Sequence, residues 1–155
     1  MRWALLPYRR YFEFRGRSRR IEFWAFFLWW LIASIVLRLI EGLFGLDALA
    51  AGLLLILLFM LGSFIPGLAV TVRRLHDANR TGWWALLPFT TFFLAFAAVA
   101  FGVEEDERVS ITIGTAVVLC PLALLVMLAW KGTRGPNRFG EDPDNPDIDL
   151  EAVFG

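Results

Sequence analysis

Residues Ala48–Val72 read ALAAGLLLILLFMLGSFIPGLAVTV, 25 residues with no ionisable side chain, and the run stops at Arg73-Arg74-Leu75-His76-Asp77-Ala78-Asn79-Arg80. A helix rises about 1.5 Å per residue, so about 20 apolar residues cross roughly 30 Å of hydrocarbon. Three other runs lack Asp, Glu, Lys, Arg and His: Phe23–Leu37, Thr81–Val103 and Val109–Trp130. The last two reach spanning length unaided. The first is completed to about Leu39 or Ile40 by Arg38, whose guanidinium can snorkel to the interface. Backbone polar groups in lipid must pair internally, and the alternation of an outer-membrane barrel is absent, so the runs read as helices. The expected fold is all-α, an integral membrane four-helix bundle with spans of about 22–40, 48–72, 83–103 and 109–130. These form one domain over 1–143, followed by an acidic tail over 144–155.

Composition agrees. Of 155 residues 58% are hydrophobic and only 19% charged, outside the usual range of a soluble domain, and 15% are aromatic, which excludes a disordered polar chain. Lys plus Arg equal Asp plus Glu at 15 each, so the whole-chain basicity of a nucleic-acid binder is missing. Cys120 is the lone cysteine, which rules out an internal disulfide.

The charges are sorted by position. The N-terminal segment holds Arg2, Arg9, Arg10, Arg15, Arg17, Arg19 and Arg20 against Glu13 and Glu22, and the second loop holds Arg73, Arg74 and Arg80 against Asp77. Lys131, Arg134 and Arg138 follow the last span. The first loop offers Arg38, Glu41 and Asp47, and the third Glu104, Glu105, Asp106 and Glu107 with Arg108. Cytoplasmic loops carry the Lys/Arg excess, so both termini and the second loop are expected on the cytoplasmic side of the membrane. Trp3, Leu5, Leu6, Tyr8, Tyr11 and Phe12 are interleaved with arginines, which suits an interfacial N-terminal segment, although Pro7 argues against one continuous helix. Trp24, Trp83, Trp84 and Trp130 fall at span ends, where indoles anchor, whereas Trp29 and Trp30 lie deeper and should pack between helices.

Three polar blocks fall on the expected cytoplasmic side: Phe14-Arg15-Gly16-Arg17-Ser18-Arg19-Arg20-Ile21-Glu22-Phe23-Trp24, Arg73 to Trp84, and Gly132 to Pro143 with its Gly-Pro-Asn-Arg-Phe-Gly centre at 135–140. Together they resemble the hallmark blocks of the bacterial domain-of-unknown-function 805 family of inner-membrane proteins, over roughly Tyr8 to Pro143. Phe23 and Phe139 stand where members often have Tyr, and Thr81 where Ser is usual. The resemblance implies a small bacterial inner-membrane protein and brings no established activity.

Each block supports a ligand-binding and a purely structural reading. Gly16 allows a tight turn before the first span, and the arginine forks around it could hold phosphate or simply orient the chain. In the second block Asp77 lies four residues from Arg73 and three from Arg74, so either can pair with it along a helix that projects a turn beyond the bilayer. His76 and Asp77 are adjacent and diverge on a helix, so they form no catalytic dyad, although His76 could titrate near neutral pH. Asn79 to Gly82 should turn the chain. The third block forbids regular helix and reads as a folded plug or a Gly-rich phosphate cradle, though it lacks the spacing of a P-loop. Asn137 can bond its own or neighbouring backbone, and Arg138 can reach an acidic partner such as Asp77 or Glu22. Asp142, Asp144, Asp147, Asp149 and Glu151 fail the order of a calcium loop and read as a solvated acidic tail. With one His and one Cys, neither a metal site nor a cofactor is expected.

The expected site is therefore one cytoplasmic-face cluster of Arg17, Arg20, Glu22, Arg73, Arg74, His76, Asp77, Asn79, Trp83, Asn137 and Arg138. The expected role is a small binding or accessory subunit, recognising anionic lipid headgroups, a membrane-protein partner or another copy of itself, without nucleic acid. The competing readings are a small transporter or channel acting as an oligomer, framed by helices bent at Pro66 and Pro121, and then a membrane enzyme using His76. No span carries a mid-membrane ionisable residue, which counts against ion-coupled transport.

Overall fold

A computed structural model describes residues 2–43, 51–102 and 106–144. The acidic tail beyond Asp144, most of the first loop and residues 103–105 lie outside the described residues. The described chain is all-helical: α1 (Arg2–Arg9), α2 (Arg20–Leu43), α3 (Ala51–Asp77), a 3-10 helix (Gly82–Leu86), α4 (Leu87–Ala100) and α5 (Glu107–Ala129). Four segments are long and apolar enough to cross a membrane: Arg20–Leu43, Leu54–Asp77, Gly82–Ala100 and Glu107–Ala129.

The bounds lie one to six residues from the expected ones, farthest at the second span, which runs from Leu54 to Asp77, and the third differs in kind. The third is not a continuous α-helix. Pro88 lies at the start of α4, where its missing N–H costs nothing, and the five residues before α4 wind as 3-10 helix. At about 1.5 Å per residue, 14 residues of α4 reach only about 21 Å. The tighter five-residue segment adds about 10 Å at 2.0 Å per residue and restores a bilayer-scale length.

α3 is central, touching α1, α2, the 3-10 helix and α5, while α4 packs along α5. Phe23, Phe26, Val70, Leu75, Ala85, Leu124 and Leu128 form the buried core. All lie near the first turns of α2, the last turns of α3 and α5, or the 3-10 helix, so packing concentrates at the arginine-rich end. Gly67 gives Phe26 room: a Cβ there would sit 3.3 Å from the ring, whereas one at Gly62 would meet open space. Trp29 and Trp30 do pack between helices, each against Phe59 of α3.

The N-terminal segment docks on the bundle. α1 runs through Pro7, which is buried with Ala4. The Tyr8 ring meets Phe26 and Trp29, its hydroxyl is 2.7 Å from Ser63 Oγ, and Tyr11 donates to the Gly62 carbonyl at 3.1 Å. Removing one buried hydrogen-bond partner costs about 1–3 kcal/mol. Tyr8→Phe should therefore loosen α1 without unfolding α2–α5, read as faster tryptic cleavage at Arg9 and Arg10 in bicelles while cleavage at Lys131 is unchanged.

Candidate functional site

The three blocks converge on one carboxylate. Asp77 ends α3 and is buried. Its Oδ1 accepts from Arg17 Nε at 2.9 Å, its Oδ2 accepts from Arg74 Nη1, and its own carbonyl accepts from the Thr133 amide at 2.8 Å and the Thr133 hydroxyl at 3.0 Å. Two guanidinium groups on one carboxylate leave donors to satisfy, and backbone carbonyls take them. Arg74 donates to the carbonyls of Leu128 (2.9 Å) and Trp130, which α5 leaves without intrahelical partners at its C-terminal end. Arg17 donates to the carbonyls of Gly135 at 2.6 Å and Thr133, with Gly140 at 3.4 Å.

A second pair lies on the other side of α3. Arg73 Nη2 donates to Glu22 Oε1 at 2.8 Å and Nη1 to the Glu13 carbonyl, while its Nε has no partner among the described residues. Successive helical residues point about 100° apart, so Arg73 faces α1 and α2 while Arg74 faces α5. This corrects the Arg73–Asp77 pairing: only the Arg74–Asp77 alternative forms. The Ser18 amide donates to the Arg73 carbonyl at 3.2 Å, next to Gly16, whose φ of +83° makes the turn that turns Arg17 inward.

The Gly132–Asp144 loop is built around these contacts. A Cβ on Gly132 would collide with the Asp77 carboxylate. Asn137 exchanges backbone hydrogen bonds with Gly140 at 3.0 Å, accepts from the Phe139 amide at 2.9 Å, and donates to the His76 carbonyl at 3.0 Å. The loop aims its carbonyls at a guanidinium. A phosphate cradle aims N–H groups at an anion, so this loop is built to hold a cation, and that cation is Arg17. His76 stacks on Phe139 with centroids 3.9 Å apart, and its Nδ1 lies 3.2 Å from the Gly16 carbonyl.

The expected cluster thus splits. Arg17, Glu22, Arg73, Arg74 and Asp77 are buried, with the side chains of Arg73 and Arg74 at 0% exposure and Arg17 at 1%. His76 and Asn137 brace them. Arg20 is exposed at the start of α2, Asn79 is exposed with φ +56°, and Trp83 is 78% exposed and outside the network. Arg138 does not reach Asp77 or Glu22. Those carboxylates are enclosed by Arg17, Arg74 and Arg73, and Arg138 instead donates to the Asn79 carbonyl at 3.2 Å and lies over Phe139. Asp142 is corrected too: only 13% exposed, it accepts from the Gly135 amide at 2.9 Å and lies 3.9 Å from Arg17, as part of the fold and not of a solvated tail. Sequence reasoning also missed Ser18, Thr133 and the receiving carbonyls. Carbonyls leave no residue signature, but Gly132 next to Thr133 marked a close approach.

The geometry defines a class: an all-helical protein with four apolar helices, clamped at one end by a buried arginine–carboxylate network that joins three segments distant in sequence. Over residues 11–141 the chain matches the family described as protein of unknown function (DUF805), and it belongs to that family. It is 36% identical over 143 residues to inner membrane protein YhaI of Escherichia coli (strain K12), covering 92% of this chain and 96% of that one. It is 34% identical to inner membrane protein YhaH of the same organism, covering 92% and 97%. It is also 34% identical to that organism's uncharacterized protein YiiR, over 84% of this chain and 86% of that one. No solved structure matches.

Breaking one partner of a buried ion pair costs about 3–5 kcal/mol, because the other charge stays buried. Asp77→Asn strands two guanidinium groups and Arg17→Gln only part of one carboxylate, so thermal unfolding in bicelles should show the larger loss for Asp77→Asn. The double variant should lose less than the sum of the two.

Proposed function

We propose that the chain is a multi-pass inner-membrane protein with both termini in the cytoplasm, acting as a small binding or accessory subunit whose arginine-rich face recognises anionic lipid headgroups. One observation carries this reading. The cations in and beside the three blocks divide into a buried set, Arg17, Arg73 and Arg74, engaged by Asp77, Glu22 and carbonyls, a half-buried Arg19 held by the Pro143 carbonyl and Asp144, and an exposed set, Arg15, Arg20, Arg80, Lys131, Arg134 and Arg138. The buried set is engaged by those partners and enclosed, with Arg73 Nε alone unpaired among the described residues, so it presents no accessible donor to a ligand. The exposed set shares its end of the molecule with exposed Trp24, Trp83, Trp84 and Trp130, the pairing of cations and indoles that marks a headgroup layer. Lys/Arg excess at this end and carboxylates at the other favour placing it inside.

Transport and catalysis have less support. A groove of about 600 Å³ between the helices is walled almost wholly by apolar side chains. Beside His76 a smaller pocket of about 410 Å³ is lined by Phe14, Leu68, Val72, Trp83, Phe139 and neighbouring uncharged residues, so its wall gives the imidazole no ionisable partner.

Each cation near an anionic surface contributes about 1 kcal/mol. Tryptophan quenching by brominated phosphatidylglycerol should therefore exceed quenching by brominated phosphatidylcholine, and Arg20→Gln/Arg80→Gln/Lys131→Gln should remove most of the difference. Equal quenching of the unsubstituted protein by both lipids would contradict the reading. A reporter fused in the 45–48 loop should be active only on the outer side, and cytoplasmic activity would overturn the topology.

A further inference from the structure

Below the buried network α2, α3 and α5 do not close on one another. They leave a groove of about 600 Å³ walled by Phe23, Phe27 and Trp30 of α2, Phe64 of α3, and Pro121 and Leu125 of α5, among others. Its hydroxyl side chains, Ser63 and Thr71, are engaged: Ser63 with Tyr8 at 2.7 Å, and Thr71 with the Gly67 carbonyl at 2.7 Å. A polar solute or a file of water would find no free partner on this wall, so the occupant is apolar. Size narrows it further. A spanning helix, about 10 Å wide and 30 Å long, fills roughly 2,400 Å³, whereas about 300–1,000 Å³ suits a small molecule or a single chain.

The arginine-rich end of the groove supplies the complement. Leu128, which lines the groove, gives its carbonyl to Arg74, and so does Trp130 just beyond it. Arg20, whose charge is felt at Arg74, is exposed one turn before Phe23. Lys131 is exposed three residues after Leu128. A tail lying in the groove therefore meets cations at the start of α2 and the end of α5. We propose that this groove holds one acyl chain of an anionic phospholipid from the surrounding bilayer, with its phosphate at Arg20 and Lys131. The proposal rests on the lipid-recognition reading above and gives it a single defined site.

The test uses the full chain in nanodiscs of equal phosphatidylglycerol and phosphatidylethanolamine. In native mass spectrometry one phosphatidylglycerol should survive delipidation. Leu125→Trp, which fills the groove from outside the ion-pair network, should cut its retention about tenfold or more. Arg20→Gln/Lys131→Gln should keep a bound lipid but lose the preference for the glycerol headgroup. Because Leu125→Trp could disturb folding, a second measurement uses the unsubstituted protein: phosphatidylglycerol carrying a diazirine on its acyl chain should label Phe27, Trp30 and Leu125 above exposed Leu28, Leu57 and Leu119. Even labelling of all six, or undiminished retention by a folded Leu125→Trp, overturns the groove. If bromolipid selectivity persists in that case, recognition of the anionic surface stands and only the site is wrong.

Discussion

One carboxylate shared by two arginines organises this molecule. Asp77 accepts from Arg17, which comes from the segment before α2, and from Arg74 on its own helix, and its carbonyl holds Thr133 from the segment after α5. Charges removed from water are costly to bury, and their attraction repays that cost only when geometry and hydrogen bonding are nearly complete. Here the donors that Asp77 does not take are placed on carbonyls of Leu128, Trp130, Thr133 and Gly135. Such a network is satisfied in one arrangement of its segments and badly unsatisfied in the rest. Its contribution is registry more than net stability.

Registry matters in this chain because apolar packing discriminates weakly in lipid. Helices there gain no hydrophobic drive toward one another, and most of the large side chains of α2–α5 are exposed on the isolated chain. The buried apolar residues lie mainly beside the polar network: Phe23 follows Glu22, Leu75 follows Arg74, and Leu128 gives Arg74 its carbonyl. Polar pairing and close packing thus coincide at one end. Farther along, the helices diverge enough to leave the apolar groove between α2, α3 and α5.

Much of this was legible in the residues. Runs without ionisable side chains gave the four spans, and the three polar blocks gave the members of the network. Helical spacing allowed both Arg73 and Arg74 as partners of Asp77, and it could not choose, because the choice depends on which neighbour each faces. Arg138 was misassigned for a related reason: charge complementarity marks eligible pairs, while loop geometry fixes which guanidinium is inside. The 3-10 start of the third span was hidden because composition does not distinguish it from α-helix, although Pro88 marked where α4 begins. Asp142 read as one of a run of acids, and only its fold against Gly135 separates it from the tail. For function the useful distinction is between cations that are consumed and cations that are exposed, and residue identity alone does not reveal it.

Asp77 joins the N-terminal and C-terminal blocks through a single node. Hydrogen exchange of the folded protein in nanodiscs measures this most directly, through the amides of Ser18 and Thr133, which donate to the carbonyls of Arg73 and Asp77. In Asp77→Asn both amides should lose protection together, with α4 unchanged. Loss at Thr133 alone, with Ser18 as protected as before, would contradict a shared node and leave two independent local contacts in its place.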